Sequence, residues 1–558
     1  NFSLISKCSS ERYRTNLTGK YNIKNIASAI LVIKHFVPDI SPKELNKFLH
    51  KIKVIPGRLE RVRKNIFIDY AHTPDALENV LKTLTEISDK RIICVFGAGG
   101  DRDRQKRPQM LKAVLKYSNL AIITSDNPRF EEPSDIIDDI TRDFDPMQPF
   151  WIQQDRSLAI QTAIDLAGEK DIVLLAGKGH ETFQAIKGKN VHFSDKEEVL
   201  VYFNKGKGTD KNELSIPIDI LQLEILFGQK NRSKKNRIFN FISLDSRSIK
   251  DNSIFFALKG ENFDGHDYVR EVLQHRNCVA VVNKNFITKG QNLIFVNDTL
   301  SALGKFAQKF KSLFNVTAIA LTGSIGKTTT KEFIYNILSD SGNTLKTSAN
   351  ENNLIGLPKT IFNLKPNHKY AIFELGSNHF GEIAKLAEIC NPDIGIITFV
   401  GPAHLEFFKD ENGVYQEKSS LFRRNLKKKI FPGDDERFKE FKGITFGFND
   451  SCSYQISKIT KKESNTEFFI NERKFMIPTP FKHFCLNATI AVALAKEVGI
   501  REKKIKANLL KSLQISQRME IRKLKNHTLL IDCYNANPDS MLAAIDFWKN
   551  FEVDKNHI

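Results

Sequence analysis

The sequence predicts an α/β chain of several domains built on parallel sheets, and three observations predict it. Apolar runs alternate with helical patterns from residue 57 to 203. A β-branched strand, a glycine-containing loop and a helical pattern follow one another in VTAIALTGSIGKTTTKEFIYNIL (316–338). The length, 558 residues, suits roughly three to five domains, and 41% hydrophobic with 27% charged residues is enough to bury large cores.

The chain also repeats itself. RLERVRKNIFIDYAHTPDAL (58–77) returns as RMEIRKLKNHTLLIDCYNANPDSM (518–541), with Arg58 and Glu60 matching Arg518 and Glu520, and Asp69 matching Asp532. Upstream, Asn25 in YNIKNIASAI matches Asn487 in HFCLNATIAVAL. A period near 460 residues signals duplicated enzyme-sized units, because solenoid repeats are only about 20 to 50 residues long. Two related proteins fused into one chain is the expectation.

Several classes are excluded. Seven cysteines lie far apart with no C-x-x-C pair, so neither a disulfide framework nor a zinc site is indicated, and a reducing cytoplasm fits. No apolar run reaches the roughly 18 residues that cross a bilayer, so membrane insertion is not expected. NFSLISKCSSERYR lacks both an initiator Met and the apolar core of a signal peptide, and reads as an interior position of a longer chain. The net charge of +19 raises nucleic-acid binding, but the lysines are dispersed and KNRSKKNR (230–237) and RRNLKKK (423–429) read as solvated faces. No nucleic-acid partner is expected; a basic surface favours small anionic substrates.

In the glycine-containing loop, the backbone of Gly323, Ser324, Ile325, Gly326 and Lys327 can cradle phosphates at a helix N-terminus. Lys327 can reach the β/γ-phosphates, and the Thr328 hydroxyl, followed by Thr329, can ligate Mg²⁺. Leu321 replaces the first glycine of the usual G-x-x-x-x-G-K-[ST] pattern. Glu374 ends the apolar strand of YAIFELGSNHFGEI, where a carboxylate can hold a metal; His404 follows the next strand, DIGIITFVGPAHLE. Lys418, in YQEKSSLF, reads from pattern alone as an exposed helix lysine.

TGSIGKTTTKE, SANENNLIGLP (348–358), ELGSNHFGEI, AHLEFF and Lys418 together resemble the Mur ligases of peptidoglycan precursor synthesis, in particular the member that adds D-Ala-D-Ala. SLDSRSIKDNSIFFALKGENFDGHDYV (243–269) is similar to that member's UDP-sugar-binding domain, which implies sugar-nucleotide contacts at Ser246 and Arg247. The resemblance implies ATP and Mg²⁺ as cofactors, Lys327, Lys418 and His404 as catalytic residues, and Thr328, Glu374, His404 and a carbamylated Lys418 around the metal. Asn487, Arg518 and Asp532 would contact the nucleotide.

The first unit resembles the family member that adds meso-diaminopimelate, through VFGAGGDRDRQKRPQM (95–110), TSDNPRFEEP (124–133), LAGKGHETFQ (175–184) and HFSD (192–195). The implied amino-acid pocket is Arg102, Asp126, Asn127, Pro128, Arg129, Gly177 and Glu181. Forked bonds from Arg102 and Arg129 suit a distal carboxylate, and Asp126 and Glu181 suit an ammonium. The bland alternative is that both arginines pair with the acids of DRDR and RFEE.

The resulting map has six parts: residues 1–56 as the tail of a first central domain, 57–203 as a Rossmann-like C-terminal domain, and 204–217 as a solvated linker. Residues 218–312 follow as a UDP-sugar domain, 313–515 as an ATPase domain, and 516–558 as the start of a second C-terminal domain. The implied function is bifunctional, ATP-dependent amide-bond formation on UDP-MurNAc-peptides, with meso-diaminopimelate and D-Ala-D-Ala as the added groups. The first unit's ATP site is expected upstream of residue 1. A folylpolyglutamate-synthase-like ligase, a phosphate-loop motor and a non-catalytic precursor-binding scaffold are the alternatives.

Overall fold

The computed structural model describes residues 2–5, 10–15, 17, 20–52, 55–204, 213–229, 236–287, 292–462, 465–479, 481–511, 520–523, 528–531, 533 and 538–549. Two compact units are formed, residues 1–302 and 303–558.

The first unit opens with a hairpin, β1 (Phe2–Ile5) and β2 (Ser10–Tyr13), and helices α1 (Lys20–Phe36) and α2 (Pro42–Lys51). Tyr13, Ile26, Ile30, Leu45 and Leu49 form their small core. A six-stranded sheet comes next, from β3 (Glu60–Arg63), β4 (Ile66–Asp69), α3 (Pro74–Ile87), β5 (Ile92–Phe96), α4 (Lys106–Tyr117), β6 (Leu120–Ile123), α5 (Pro133–Thr141), β7 (Phe150–Ile152), α6 (Arg156–Leu166) and β8 (Ile172–Ala176). Its order is β3-β4-β8-β5-β6-β7, and all neighbours except β3 and β4 are parallel. β5, β6 and β8 are buried at every position, as expected for a parallel sheet covered by helices on both faces. The hairpin β9 (Phe183–Ile186) and β10 (Lys189–His192) and helix α7 (Asp195–Asn204) complete this part.

The expected linker corrects in part. Residues 205–212 lie outside the described residues, but 213–217 are built into the fold: Ile216 is fully buried and the Leu214 amide donates to the Asn240 carbonyl at 2.9 Å. An isoleucine and a leucine among the polar residues are what anchor this end. β11 (Ile218–Asp219), α8 (Ile220–Leu226) and β12 (Ile238–Phe239) lead into a four-stranded parallel sheet, β13 (Phe241–Ser243), β14 (Ser253–Phe256), β15 (Val279–Asn283) and β16 (Leu293–Val296), with the short α9 (Val269–Val272) before β15. Helix α10 (Thr299–Lys311) runs across the boundary between the units.

The second unit carries a nine-stranded sheet in the order β18-β19-β17-β20-β21-β22-β23-β24-β25. In chain order its elements are β17 (Thr317–Thr322), α11 (Lys327–Ser339), β18 (Thr344–Lys346), α12 (Gly356–Phe362), β19 (Tyr370–Glu374), α13 (Glu382–Cys390), β20 (Ile394–Ile397), α14 (Leu405–Phe408), α15 (Glu411–Ser419), β21 (Lys428–Pro432), β22 (Ile444–Gly447), β23 (Tyr454–Lys461), β24 (Thr466–Ile470) and β25 (Arg473–Ile477). β18 to β23 are parallel, and β24 and β25 are antiparallel additions. α16 (Phe484–Glu497), buried at eleven of its fourteen positions, and α17 (Glu502–Leu509) follow. The repeat seen in the sequence is visible as architecture: β26 (Glu520–Lys523), β27 (Thr528–Ile531) and α18 (Pro538–Lys549) form an antiparallel pair and a helix beginning at proline, as β3, β4 and α3 do.

Candidate active site

In the second unit, β17 lies between β19 and β20, third among the parallel strands, and the loop at its carboxyl end opens α11. Ligands gather at such a position because backbone amides and a helix N-terminus converge there. Gly326 holds φ 83° as the residue before α11, and a Cβ there would lie 2.4 Å from the Asn487 side-chain oxygen. That oxygen also accepts from the Thr330 hydroxyl at 3.2 Å, so α16 brings Asn487 against the loop. Gly323, at φ 149°, leaves no room for a Cβ against Thr398 Oγ1. Ser324 donates to the Gly401 carbonyl, and the Ile325 carbonyl accepts from Thr398. Thr329 is buried behind the loop.

Around this loop is an open cavity of about 260 Å³, lined by Gly323, Ser324, Lys327, Asn352, Asn353, Glu374, Gly376, Ser377, Asn378, Glu382, Ala403, His404 and Lys418. Lys327 Nζ is folded back onto the Gly323 carbonyl at 2.6 Å. Glu374 ends β19 in register with Leu321; its Oε1 accepts from Thr328 at 3.3 Å and Asn352 at 3.1 Å. Its Oε2 is buried without a hydrogen-bond partner, 3.2 Å from Lys331 Nζ. Among the described residues, no three His, Cys, Asp or Glu side chains converge on a metal-sized gap. Thr328 and Glu374 thus offer an incomplete oxygen set, which suits a Mg²⁺ ion that keeps waters and fills its shell with phosphate oxygens.

Lys418 is not the exposed helix lysine that pattern alone indicates: it is 2% exposed on α15 and donates to Ser377 Oγ at 2.8 Å. The neighbouring Glu417 accepts from the Gly381 and Ile383 amides, which locks α15 against the start of α13. Burial, reinforced by the charge of Lys327, lowers the Lys418 ammonium to about 7. Burial and the charges of Lys418 and Lys327 also lower His404, which sits in the left-handed region at φ 50°. Arg518 and Asp532 lie outside the described residues.

A second cluster forms in the first unit, at the carboxyl ends of β5, β6 and β8. Asp126, Asn127, Pro128 and Arg129 follow β6, Gly177 and Glu181 follow β8, and Arg102 follows β5. Asn127 donates to Glu181 at 2.9 Å. Gly177, at φ 109°, comes so near Asp126 that a Cβ would lie 2.9 Å from Oδ2. Burial raises the Asp126 carboxyl against the charges of Arg156 and Lys178, and its Oδ1 has no hydrogen-bond partner. Burial would also raise Glu181, but bonds from Asn127 and the Lys178 charge outweigh it and hold the group low.

Neither Arg102 nor Arg129 pairs with a carboxylate among the described residues. Glu131 of RFEE binds Arg107 at 2.7 Å and Arg104 at 2.9 Å, and accepts the Asp101 amide at 2.6 Å. This ties the loop of Arg102 to the loop of Arg129. Both arginines flank Gly99, and Arg129, at φ 53°, donates to the Gly100 carbonyl. In the four-stranded sheet, Ser246 is buried just past β13, and Arg247, 87% exposed, makes a bidentate pair with Asp245.

The Mur ligase middle domain is matched by residues 321–495, the Mur ligase glutamate ligase domain by 57–179, and the Mur ligase family catalytic domain by 238–311. UDP-N-acetylmuramoyl-tripeptide--D-alanyl-D-alanine ligase of Haemophilus influenzae is 33% identical over 353 residues, 61% of this chain and 77% of that protein. The chain belongs to the Mur ligase family. These are ATP-dependent ligases. A crystal structure of MurF from Acinetobacter baumannii has a TM-score of 0.56 at 31% identity, covering 60% of this chain and 76% of that one. A relative of a second kind matches a different part of the chain: UDP-N-acetylmuramoyl-L-alanyl-D-glutamate--2,6-diaminopimelate ligase of Aquifex aeolicus, 48% identical over 192 residues. That match covers 34% of this chain and spans 39% of the length of the relative.

Sequence reasoning about this Mur ligase missed several polar groups in both clusters. Lys178, fully buried, bonds Asn127 Oδ1 and Glu181 Oε2 at 3.2 Å each and lies 3.7 Å from Asp126. Arg156 and Asp195 form a fully buried bidentate pair at 2.8 Å, and Arg156 also holds the carbonyls of Ser125 and Ala176, the residues just before the two pocket loops. Lys331 stands one helical turn after Lys327 and could have been read from that spacing.

Proposed function

We propose that this chain combines parts of two Mur ligases: the amino-acid-selecting part of one that adds meso-diaminopimelate to UDP-MurNAc-L-Ala-D-Glu, and most of one that adds D-Ala-D-Ala to the resulting tripeptide. The two relatives match separate stretches of the chain, which supports the fusion. In domain terms, residues 57–203 are the first ligase's last domain, 218–312 the second's UDP-sugar domain with Ser246 and Arg247, and 313–515 its ATPase domain. Residues 1–203 carry no phosphate-loop motif, so diaminopimelate addition is proposed for the protein in which this chain occurs.

The observation that carries the reading is the convergence of Lys327, Thr328, Glu374, His404 and buried Lys418 on one cavity. The substrate's terminal carboxylate attacks the γ-phosphate of ATP, and the acyl phosphate formed is opened by the incoming amine to give the amide and phosphate. Lys327 leaves the Gly323 carbonyl for the β/γ-phosphates and offsets charge on the transferring phosphoryl group, while the loop amides fix its position. Thr328 and Glu374 would hold Mg²⁺, which neutralises phosphate charge when bound. Burial lowers the Lys418 ammonium to about 7, which favours the neutral amine that takes up CO₂; the carbamate would add two oxygens to the cavity. In the first unit, Arg102 and Arg129 receive the distal carboxylate of diaminopimelate, and Asp126 and Glu181 receive its ammonium.

The test is ADP release by the native protein. Release should require UDP-MurNAc-tripeptide and D-Ala-D-Ala together; ATP turnover indifferent to both would overturn the assignment.

A further inference from the structure

The six-stranded sheet ends at β7, an edge whose outward amides have no strand to pair with. Those amides are nevertheless satisfied. Ile152 N donates to Gln222 Oε1 at 3.0 Å, and Gln154 N donates to Asp219 Oδ2 at 2.8 Å. Gln154 Nε2 adds a bond to Asp219 Oδ1 at 3.0 Å. Positions 152 and 154 are two residues apart, the spacing at which strand groups face the same way. All seven residues of α8 are buried, and Leu221 and Ile225 belong to the core of the six-stranded sheet.

The same segment is bonded equally firmly on its other side. β11 pairs with β12, and Ile220 N donates to the Arg237 carbonyl at 2.9 Å. Just beyond α8, Gln229 donates to the Phe295 carbonyl at 2.9 Å and accepts the Phe295 amide at 3.1 Å, which caps β16, an edge of the four-stranded sheet. A tether would leave both edges open to water. This segment closes both with side chains of matching donor and acceptor pattern.

We propose that residues 213–229 are a rigid joint docked on two sheet edges, so that the six-stranded and four-stranded sheets move as one body. On the functional reading above, the first ligase's last domain and the second ligase's UDP-sugar domain are then held together as one body.

Hydrogen exchange on the native protein tests the joint without reference to activity. The amides of Ile152 and Gln154 should be protected at least about 100-fold, as in buried structure. In an Asp219→Ala/Gln222→Ala variant they should exchange freely while Cys94 and Val95, in the sheet centre, stay protected and report an intact fold. Unprotected 152 and 154 amides in the native protein, or protection that survives in the variant, would overturn the docking. A milder Asp219→Asn variant, which keeps one acceptor oxygen, should retain part of the protection. For the coupled motion, spin labels at Lys112→Cys and Glu271→Cys, on exposed helices of the two sheets, should give one narrow distance population, unchanged by ATP and diaminopimelate. A broad or ligand-dependent distribution would show that the sheets move separately.

Discussion

The amino-acid cluster after β6 and β8 and the cavity after β17 sit at the same place in their sheets, the carboxyl ends of parallel strands, yet they are prepared differently. In the first, charge is matched in advance: Lys178 stands among Asp126, Asn127 and Glu181, and Arg156 with Asp195 holds the loops that carry them. In the second, the charged groups line an open cavity. Lys327 rests on a backbone carbonyl, one Glu374 oxygen has no hydrogen bond, and Lys418 is buried with a lowered ammonium. On the proposed function, the difference follows from the ligands. A zwitterionic amino acid is read by fixed, complementary charges, whereas a polyphosphate brings the negative charge that completes its own site.

Removing the Lys327 cation should have the largest effect. Lys327→Ala should lower D-Ala-D-Ala-dependent ADP release by about 10³-fold or more, since phosphoryl transfer depends on charge neutralisation. A fall of less than tenfold in a folded variant would mean that the loop amides suffice. Next comes the Glu374 carboxylate. Glu374→Gln should raise the Mg²⁺ concentration for half-maximal rate by about 10- to 100-fold and leave the KM for D-Ala-D-Ala nearly unchanged; an unaltered Mg²⁺ titration would return Glu374 to a structural role.

Two further variants address the pre-matched site. Arg129→Ala should raise the KM for diaminopimelate at least about tenfold, the size of one lost charged hydrogen bond, with the KM for ATP hardly moved. Lysine, which lacks the distal carboxylate, should stay as poor a substrate or gain slightly relative to diaminopimelate. A smaller effect is expected at Glu131. Hydrogen bonds from Arg107 lead in holding its carboxyl at about 2, below the unfolded 4.5. Its contribution is therefore complete above pH 4.5 and is lost as pH falls towards 2. Glu131→Gln should raise the acid-unfolding midpoint of the first unit by a few tenths of a pH unit, and loosen diaminopimelate binding about two- to threefold through the loop of Arg102. Acid unfolding identical to the native protein would remove Glu131 from that role.

The phosphate loop and the DNPR segment were legible because their chemistry is local: a short run of residues sets both the backbone and the groups it presents. The hairpin-and-helix repeat was legible because alternation and proline position survive as architecture. Lys418 was read wrongly from pattern, since nothing within α15 reveals that α13 and the Ser377 loop cover it. Lys178 and the Arg156–Asp195 pair were missed for a related reason. They join residues up to 52 positions apart, and burial of a charge is decided by what folds over it. That Glu131 is taken by Arg107 and Arg104, and not by Arg102 or Arg129, could not be read from DRDR and RFEE, because the pairing is decided by how the two loops meet. α8 escaped notice because an edge strand's need for donors and acceptors appears only once strand order is known.

On the proposed function, the two clusters serve two ligations with separate requirements. This is tested most directly by assaying both ligations side by side in the native protein and in its Lys327→Ala and Arg129→Ala variants. Lys327→Ala should abolish D-Ala-D-Ala addition and leave diaminopimelate addition near the native rate, while Arg129→Ala should do the reverse through KM. Loss of both ligations in the folded Lys327→Ala protein would contradict the account.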